Sequence, residues 1–208
     1  MPRTLDKIRQ ASVEEYLRFE ETALERHEFV DGSIFMMAGG TVQHAQIALR
    51  LAAKLLASTE NTECEVVTSD VKLQIGNVYY YPDIMVSCQE NKAERRFFQN
   101  PCSIIEVLSS STEPVDRGEK LLRYRTIATL QTYILLAQDA IRAEVYRRLP
   151  DNTWRYEVLE KNDTLEIPCA HFKQLLNSIY KGVLSNRADF EAALASAPDV
   201  QPDPDDQM

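Results

Sequence analysis

Glycine is scarce in this chain, at 6 of 208 residues, and tryptophan occurs once. So few glycines, with only 9 prolines, exclude collagen-like and proline-rich classes. No apolar run approaches the roughly 20 residues that cross a bilayer as a helix. The N-terminal MPRTLDKIRQASVEEY lacks the apolar stretch of a secretory signal. A cytoplasmic protein with no membrane partner is therefore expected. The cysteines are Cys64, Cys88, Cys102 and Cys169, with no C-x-x-C pair and no histidine placed to suggest a zinc ligand cluster. That spacing disfavours a zinc cluster, and reduced, mostly buried thiols are expected. Positive charge is also short: 23 Lys+Arg against 32 Asp+Glu give −9. Such a balance does not hold nucleic acid through bulk charge, although a local basic groove is compatible with it.

What is present describes one core-forming domain. Hydrophobic residues make up 44% of the chain, enough to build a core, and global disorder is excluded. Residues 1–185 are expected to form a single domain. Residues 186–208 are expected to hold a last helix, within ADFEAALAS, and an acidic disordered tail. The final stretch APDVQPDPDDQM carries four Asp, three Pro and no cation, so it has nothing to bury.

Local signals order the elements. Ser12-Val13-Glu14-Glu15 reads as a capping box that opens a helix running to about Thr22. Asp31-Gly32 between two β-prone runs predicts a hairpin. A second helix over Val42–Ser58 follows, with Ile47, Leu49, Leu51, Leu55 and Leu56 suiting a largely buried element. Strands are predicted at Glu65–Thr68, Val71–Ile75, Tyr79–Val86 and Ser103–Leu108, with a polar loop before the last. A third helix is placed from Asp116, read as its cap. Strands resume at Thr132–Ala137, Arg142–Arg148, Trp154–Leu159 and Thr164–Ile167, and a final helix covers His171–Leu184. The order describes a mixed α/β (α+β) domain with a largely central sheet.

Two acids stand where acids are expensive. Asp83 follows Pro82 in YYYPDIMVS, and Glu106 interrupts SIIEVLS. A buried carboxylate costs several kcal/mol unless paired, protonated or bound to a cation. A half-exposed strand would let either one face water, which is the simpler reading for one acid alone. Two such acids in nearby strands point to a shared oxygen-ligand site for a hard cation such as Mg²⁺. Lys120 would be the accompanying protein cation, or else a surface lysine paired with Asp116 at i,i+4. Ser109–Thr112 lacks a nucleophile elbow and reads as a polar loop. Tyr79–Tyr81 read as packing, and Arg95, Arg96, Arg117, Arg123 and Arg125 as either a phosphate-binding face or a solvated run.

The motifs YYPD (Tyr80–Asp83), IIEVLSSST (Ile104–Thr112) and DRGEKLLRY (Asp116–Tyr124) occur in that order. RHEFVDGSIFMMAGG…H (Arg26–His44) precedes them, and TYILL…AEVYRR…W (Thr132–Trp154) follows. Together, over residues 10–185, they resemble the Uma-type family of restriction-endonuclease-like proteins, a domain of unknown function within the PD-(D/E)XK nuclease superfamily. The resemblance implies a central mixed β-sheet flanked by helices, with an N-terminal β-hairpin. It implies Asp83 and Glu106 as metal-binding acids, the Val107 carbonyl as a further ligand, and Lys120 as a catalytic lysine moved to the following helix. Leu108 stands where the usual lysine would be. Glu28 matches an N-terminal family acid, implied as a metal ligand or an acid behind the ligands, or else an exposed hairpin acid. His44 matches a family histidine near the start of the second helix, implied as a substrate or water contact, or else a helix-start residue hydrogen-bonded in the core. Ser110, where proline is usual, and Gln131-Thr132, where a Glu often precedes the Tyr, depart from the pattern.

The function so implied is Mg²⁺-dependent (Mn²⁺ as substitute) endonucleolytic hydrolysis of DNA, with a homodimer to cut both strands. A binding module that keeps the fold without turnover is the alternative. A carboxylate-pair hydrolase without metal is a third class.

Overall fold

The structure, a computed structural model, describes residues 7–37, 39–89 and 96–184. The acidic tail, the ADFEAALAS segment and Arg95 lie outside the described residues. Strand β1 (Lys7–Gln10) leads into α1 (Val13–Glu20), whose Ser12–Glu15 capping box forms in both directions. Strands β2 (His27–Val30) and β3 (Ser33–Met36) make the expected hairpin. Asp31 and Gly32 both adopt positive φ, at 48° and 79°. Two successive left-handed residues give the turn whose twist matches its strands.

Helix α2 (Val42–Thr59) is held at its start by Thr41, whose hydroxyl accepts from the His44 backbone. It buries Ile47, Leu51 and Leu55, but Leu49 and Leu56 face outward. The expectation of a largely buried helix is corrected at these two positions by helical geometry, because residues 49 and 56 sit two turns apart on the far side.

Strands β4 (Glu65–Thr68), β5 (Leu73–Ile75), β6 (Val78–Tyr80), β7 (Ile84–Ser87) and β8 (Ser103–Val107) follow. The single strand expected over Tyr79–Val86 is therefore two. Pro82 lacks the N–H that a continuing ladder needs, and the chain changes sheets across Tyr81-Pro82-Asp83. β6 belongs to a five-stranded sheet ordered β1-β3-β2-β6-β5. β7 belongs to a six-stranded sheet that also takes in β9 (Thr132–Leu136), β10 (Arg142–Arg148) and β11 (Trp154–Glu160) in the order β11-β10-β9-β8-β7-β4. β8 and β9 pair in parallel and the other neighbours antiparallel, so the larger sheet is mixed, as expected. The five-stranded sheet extends the predicted N-terminal hairpin well beyond two strands.

Between β8 and β9 lies a helical segment: α3 (Glu113–Val115), a π turn (Asp116–Lys120) and α4 (Leu121–Tyr124). It starts three residues before the predicted Asp116. Proline at the second position suits a first turn, where its missing N–H is not needed. After β12 (Thr164–Ile167) the predicted helix over His171–Leu184 is corrected. A 3₁₀ turn at Pro168–Ala170 ends at His171 in the left-handed region, β13 (Phe172–Leu175) pairs back on β12, and only α5 (Asn177–Tyr180) is helical.

Alternation in the larger sheet makes two cores. Ile84, Val86, Ile105, Val107, Ile134 and Leu136 face α2 and α5. Met85, Ile104, Tyr133 and Leu135 face Tyr80, Tyr124 and Leu73. Glu106 shares the second face with Ile104, because side chains two apart on a strand point the same way. The cysteine expectation is also corrected, for Cys64 pairs with Cys88 and Cys102 with Cys169 as disulfides.

Candidate active site

Strand register sets the first pair of acids. Ile84 lies opposite Ile105 in the antiparallel β7–β8 pair, so Asp83, one residue before β7, falls beside Glu106. Their backbones and carboxylates interlock: the Asp83 N–H donates to Glu106 Oε2 at 3.2 Å, and the Val107 N–H donates to Asp83 Oδ2 at 2.7 Å. His44 Nε2 reaches the same Asp83 oxygen at 3.2 Å. The imidazole also meets the backbone of Val107, and its pKa is raised above 6.5, chiefly by its bond to Asp83.

Lys120 arrives from the π turn. A π turn adds a residue to the helical repeat and re-aims the side chains after it. The ammonium lies 3.0 Å from Glu106, 3.1 Å from Asp116 and 3.3 Å from Glu28. Glu28 comes from β2 in the other large sheet, so three segments converge on one cation. All four residues are at most 5% exposed. Burial alone would lower the Lys120 pKa, but Asp116, Glu106 and Glu28 outweigh it and hold the ammonium charged well above its usual range. Burial pushes the Glu106 carboxyl up, and the Lys120 charge opposes that only in part. Asp116 is raised for the same cause, with the same opposition. Tyr124 donates to Glu106 at 2.9 Å, and burial keeps it a phenol.

These residues border a cavity of about 70 Å³ whose lining includes His44, Asp83, Glu106, Val107, Asp116 and Lys120. Gly39, Gly40, Tyr81, Ser109 and Thr112 complete much of the wall. Tyr81 is fixed from behind, its hydroxyl donating to buried Glu20 at 2.7 Å, while Glu20 accepts from the His27 N–H. Every residue singled out from the sequence for the site is gathered here, Glu28 through its ion pair with Lys120.

Two contributors escaped the sequence. Asp116 reads as a helix cap but is 1% exposed and faces Lys120. Tyr124 reads as packing but bonds Glu106. Lys120 does pair with Asp116 at i,i+4, yet indoors and not on a solvated helix face. The arginines are engaged elsewhere: Arg96 with Glu21, Arg117 with Glu144, Arg123 with Asp31, and Arg125 over the Trp154 ring.

Four acids thus surround the Lys120 ammonium and the His44 imidazole. Burial raises Glu106 and Asp116, so gathering these acids in a small cavity calls for protons or a further cation. Asp83 and Glu106 are hard oxygen donors, which suits Mg²⁺.

A family model described as "Uma2: Putative restriction endonuclease" matches residues 13–175. The chain is 35% identical over 175 residues to the uncharacterized protein slr1290 of Synechocystis sp., covering 83% of this chain and 92% of that protein. It is also 35% identical over 158 residues to sll1609 of the same organism, covering 73% and 89%. The fold is similar to the crystal structure of "a putative nuclease belonging to DUF820" from Anabaena variabilis, with a TM-score of 0.71 at 17% identity, over 83% of this chain and 99% of that one.

Proposed function

The chain belongs to the Uma2 family, and from that membership together with the acid-rich pocket we propose that it is a metal-dependent endonuclease acting on DNA. The observation that carries the reading is the convergence of Asp83 and Glu106 on one small cavity, with the Lys120 ammonium 3.0 Å from Glu106. Asp83 and Glu106 would hold Mg²⁺ or Mn²⁺, with the Val107 carbonyl as a further donor. Two carboxylates are an ordinary protein share for Mg²⁺, which completes its shell with water and substrate phosphate. When bound, the cation supplies a polarised phosphoryl oxygen and a water of lowered pKa.

The remaining chemistry belongs to the chain. Lys120 cannot serve as a base while three carboxylates hold its proton. Its charge instead stabilises negative charge developing on the phosphoryl group, and its N–H groups orient the attacking water. Glu28 and Asp116 position the ammonium. Tyr124 fixes the Glu106 carboxylate by donating to it. His44, bonded to Asp83 at the cavity wall, is placed to contact water or substrate.

Cutting both strands of a duplex would use two such pockets related by a two-fold axis, hence a homodimer. Sedimentation of the cleaving species tests that part.

The main test is cleavage of duplex DNA with Mg²⁺ by the parent chain, Asp83→Asn and Glu106→Gln. Each substitution keeps shape and removes the anion, so cleavage should be lost and metal binding weakened. A parent protein that binds no divalent ion at the pocket, with Asp83→Asn altering nothing, would replace this reading with the interaction module. The net charge of −9 favours that second reading, because a module without turnover needs no hold on DNA.

A further inference from the structure

At the other end of the same strands four cysteines meet. Cys64 directly precedes β4, Cys88 directly follows β7, Cys102 directly precedes β8, and Cys169 sits in the 3₁₀ turn after β12. β4, β7 and β8 are neighbours in one sheet, so three of these positions share an edge, and the turn brings the fourth over it. The cluster stands about 16 Å from Asp83 along β7, at ~3.3 Å per residue.

We propose that this cluster is a redox-responsive zinc site. In its reduced form four thiolates hold one Zn²⁺. In its oxidised form, the one this structure shows, the same sulfurs are joined as Cys64–Cys88 and Cys102–Cys169.

Geometry carries the metal half. The Sγ atoms of Cys88, Cys102 and Cys169 all lie within 4.8 Å of one another. Among the described residues, no other group of three or more His, Cys, Asp or Glu brings its ligand atoms so close. Cys88 and Cys102 belong to different disulfides, yet their sulfurs are 3.8 Å apart. A tetrahedral Zn²⁺ with Zn–S of about 2.3 Å sets its sulfurs about 3.8 Å apart. Cys64 joins through Cys88. The backbone accommodates the thiol state as well: the Cys169 carbonyl oxygen lies 2.9 Å from Cys88 Sγ and 3.5 Å from Cys64 Sγ. A thiol can donate there, and a disulfide sulfur has no hydrogen to give.

The exchange balances. Two molecules of a dithiol reductant deliver four electrons and four protons, break both S–S bonds and leave four thiols. Zn²⁺ then displaces the four protons. In reverse, two molecules of peroxide oxidise the four thiolates, both S–S bonds form, Zn²⁺ leaves, and four protons are consumed as four waters appear.

The test uses the full chain, reduced with excess dithiol in the presence of Zn²⁺ and then desalted. Bound zinc and free thiols are counted before and after peroxide. One zinc and four protected thiols per chain are expected, and peroxide should consume all four thiols and free the zinc. The count should stay at one in the Asp83→Asn, Glu106→Gln double variant, which separates this site from the acidic pocket. Cys102→Ser should lower bound zinc to near zero. Cd²⁺ added to the reduced parent should give a thiolate-to-metal absorption band, a readout that needs no variant to fold. A reduced chain with four titratable thiols that holds no zinc overturns the proposal. So does zinc that persists in Cys102→Ser or survives peroxide.

Discussion

Lys120 is a buried charge whose worth lies in its company. Replacing it by alanine leaves Glu28, Glu106 and Asp116 packed together without a cation. Breaking such a group by removing one partner costs about 3–5 kcal/mol. Lys120→Ala should therefore lower the melting temperature sharply as well as the cleavage rate, whereas Lys120→Arg should keep most of the stability. Thermal melts beside cleavage assays check this, and an unchanged melting temperature in Lys120→Ala would sink it. Glu106 gives a second expectation. In the metal-free protein its carboxyl is raised from 4.5 to about 8, chiefly by burial. The folded state then holds a proton that the unfolded state has released across that window. Stability should fall as pH rises through it. Glu106→Gln, which cannot titrate, should flatten the slope of melting temperature against pH in chelator. An unchanged slope would count against the assignment. At this scale the site was only half legible. Asp83 and Glu106 stood out because each interrupts an apolar run, and Lys120 through its place in a family motif. Asp116 did not, because an aspartate before a helical stretch looks the same whether it caps the helix or turns inward.

Elements were more legible wherever the signal is local. The Ser12 capping box, the Asp31-Gly32 turn and the strand Arg142–Arg148 carry local signals, and all appear as expected. The misses depend on distant partners. The break at Pro82 is decided by which sheet each flanking strand joins, and the predicted helix over His171–Leu184 yields to pairing between β12 and β13. Tertiary hydrogen bonding outweighs a weak local preference. The meeting of four cysteines depends wholly on strand order. The hairpin also supports a prediction, since it carries Glu28. Gly32 sits at φ 79°, and an L-residue held there costs about 1–2 kcal/mol. Gly32→Ala should destabilise the chain by that amount in denaturant titration. A neutral result would mean that the turn relaxes to another type without cost.

Over the whole molecule, charge opposes the proposed substrate. A chain at −9 with an acidic cavity repels phosphate until a cation intervenes. Duplex DNA should bind weakly in chelator and more tightly with Ca²⁺, which shares the oxygen preference of Mg²⁺ but is larger and less polarising. Fluorescence anisotropy without cleavage checks this, and equal affinity in chelator and Ca²⁺ would contradict it. Among the described residues, no helix is long and apolar enough to cross a bilayer.

Only Tyr81, Pro82 and Asp83 separate β6 in one large sheet from β7 in the other. Glu28 comes from the first sheet, Glu106 from the second, and Lys120 from the helical segment between β8 and β9. A chain still emerging from the ribosome carries Glu28, His44 and Asp83 early, then Glu106, and Lys120 after them. No truncated product that stops before Lys120 contains the assembled pocket. The pocket therefore stays incomplete until Lys120 has been made and both sheets have docked, so the proposed activity is tied to the assembled fold with no inhibitor required.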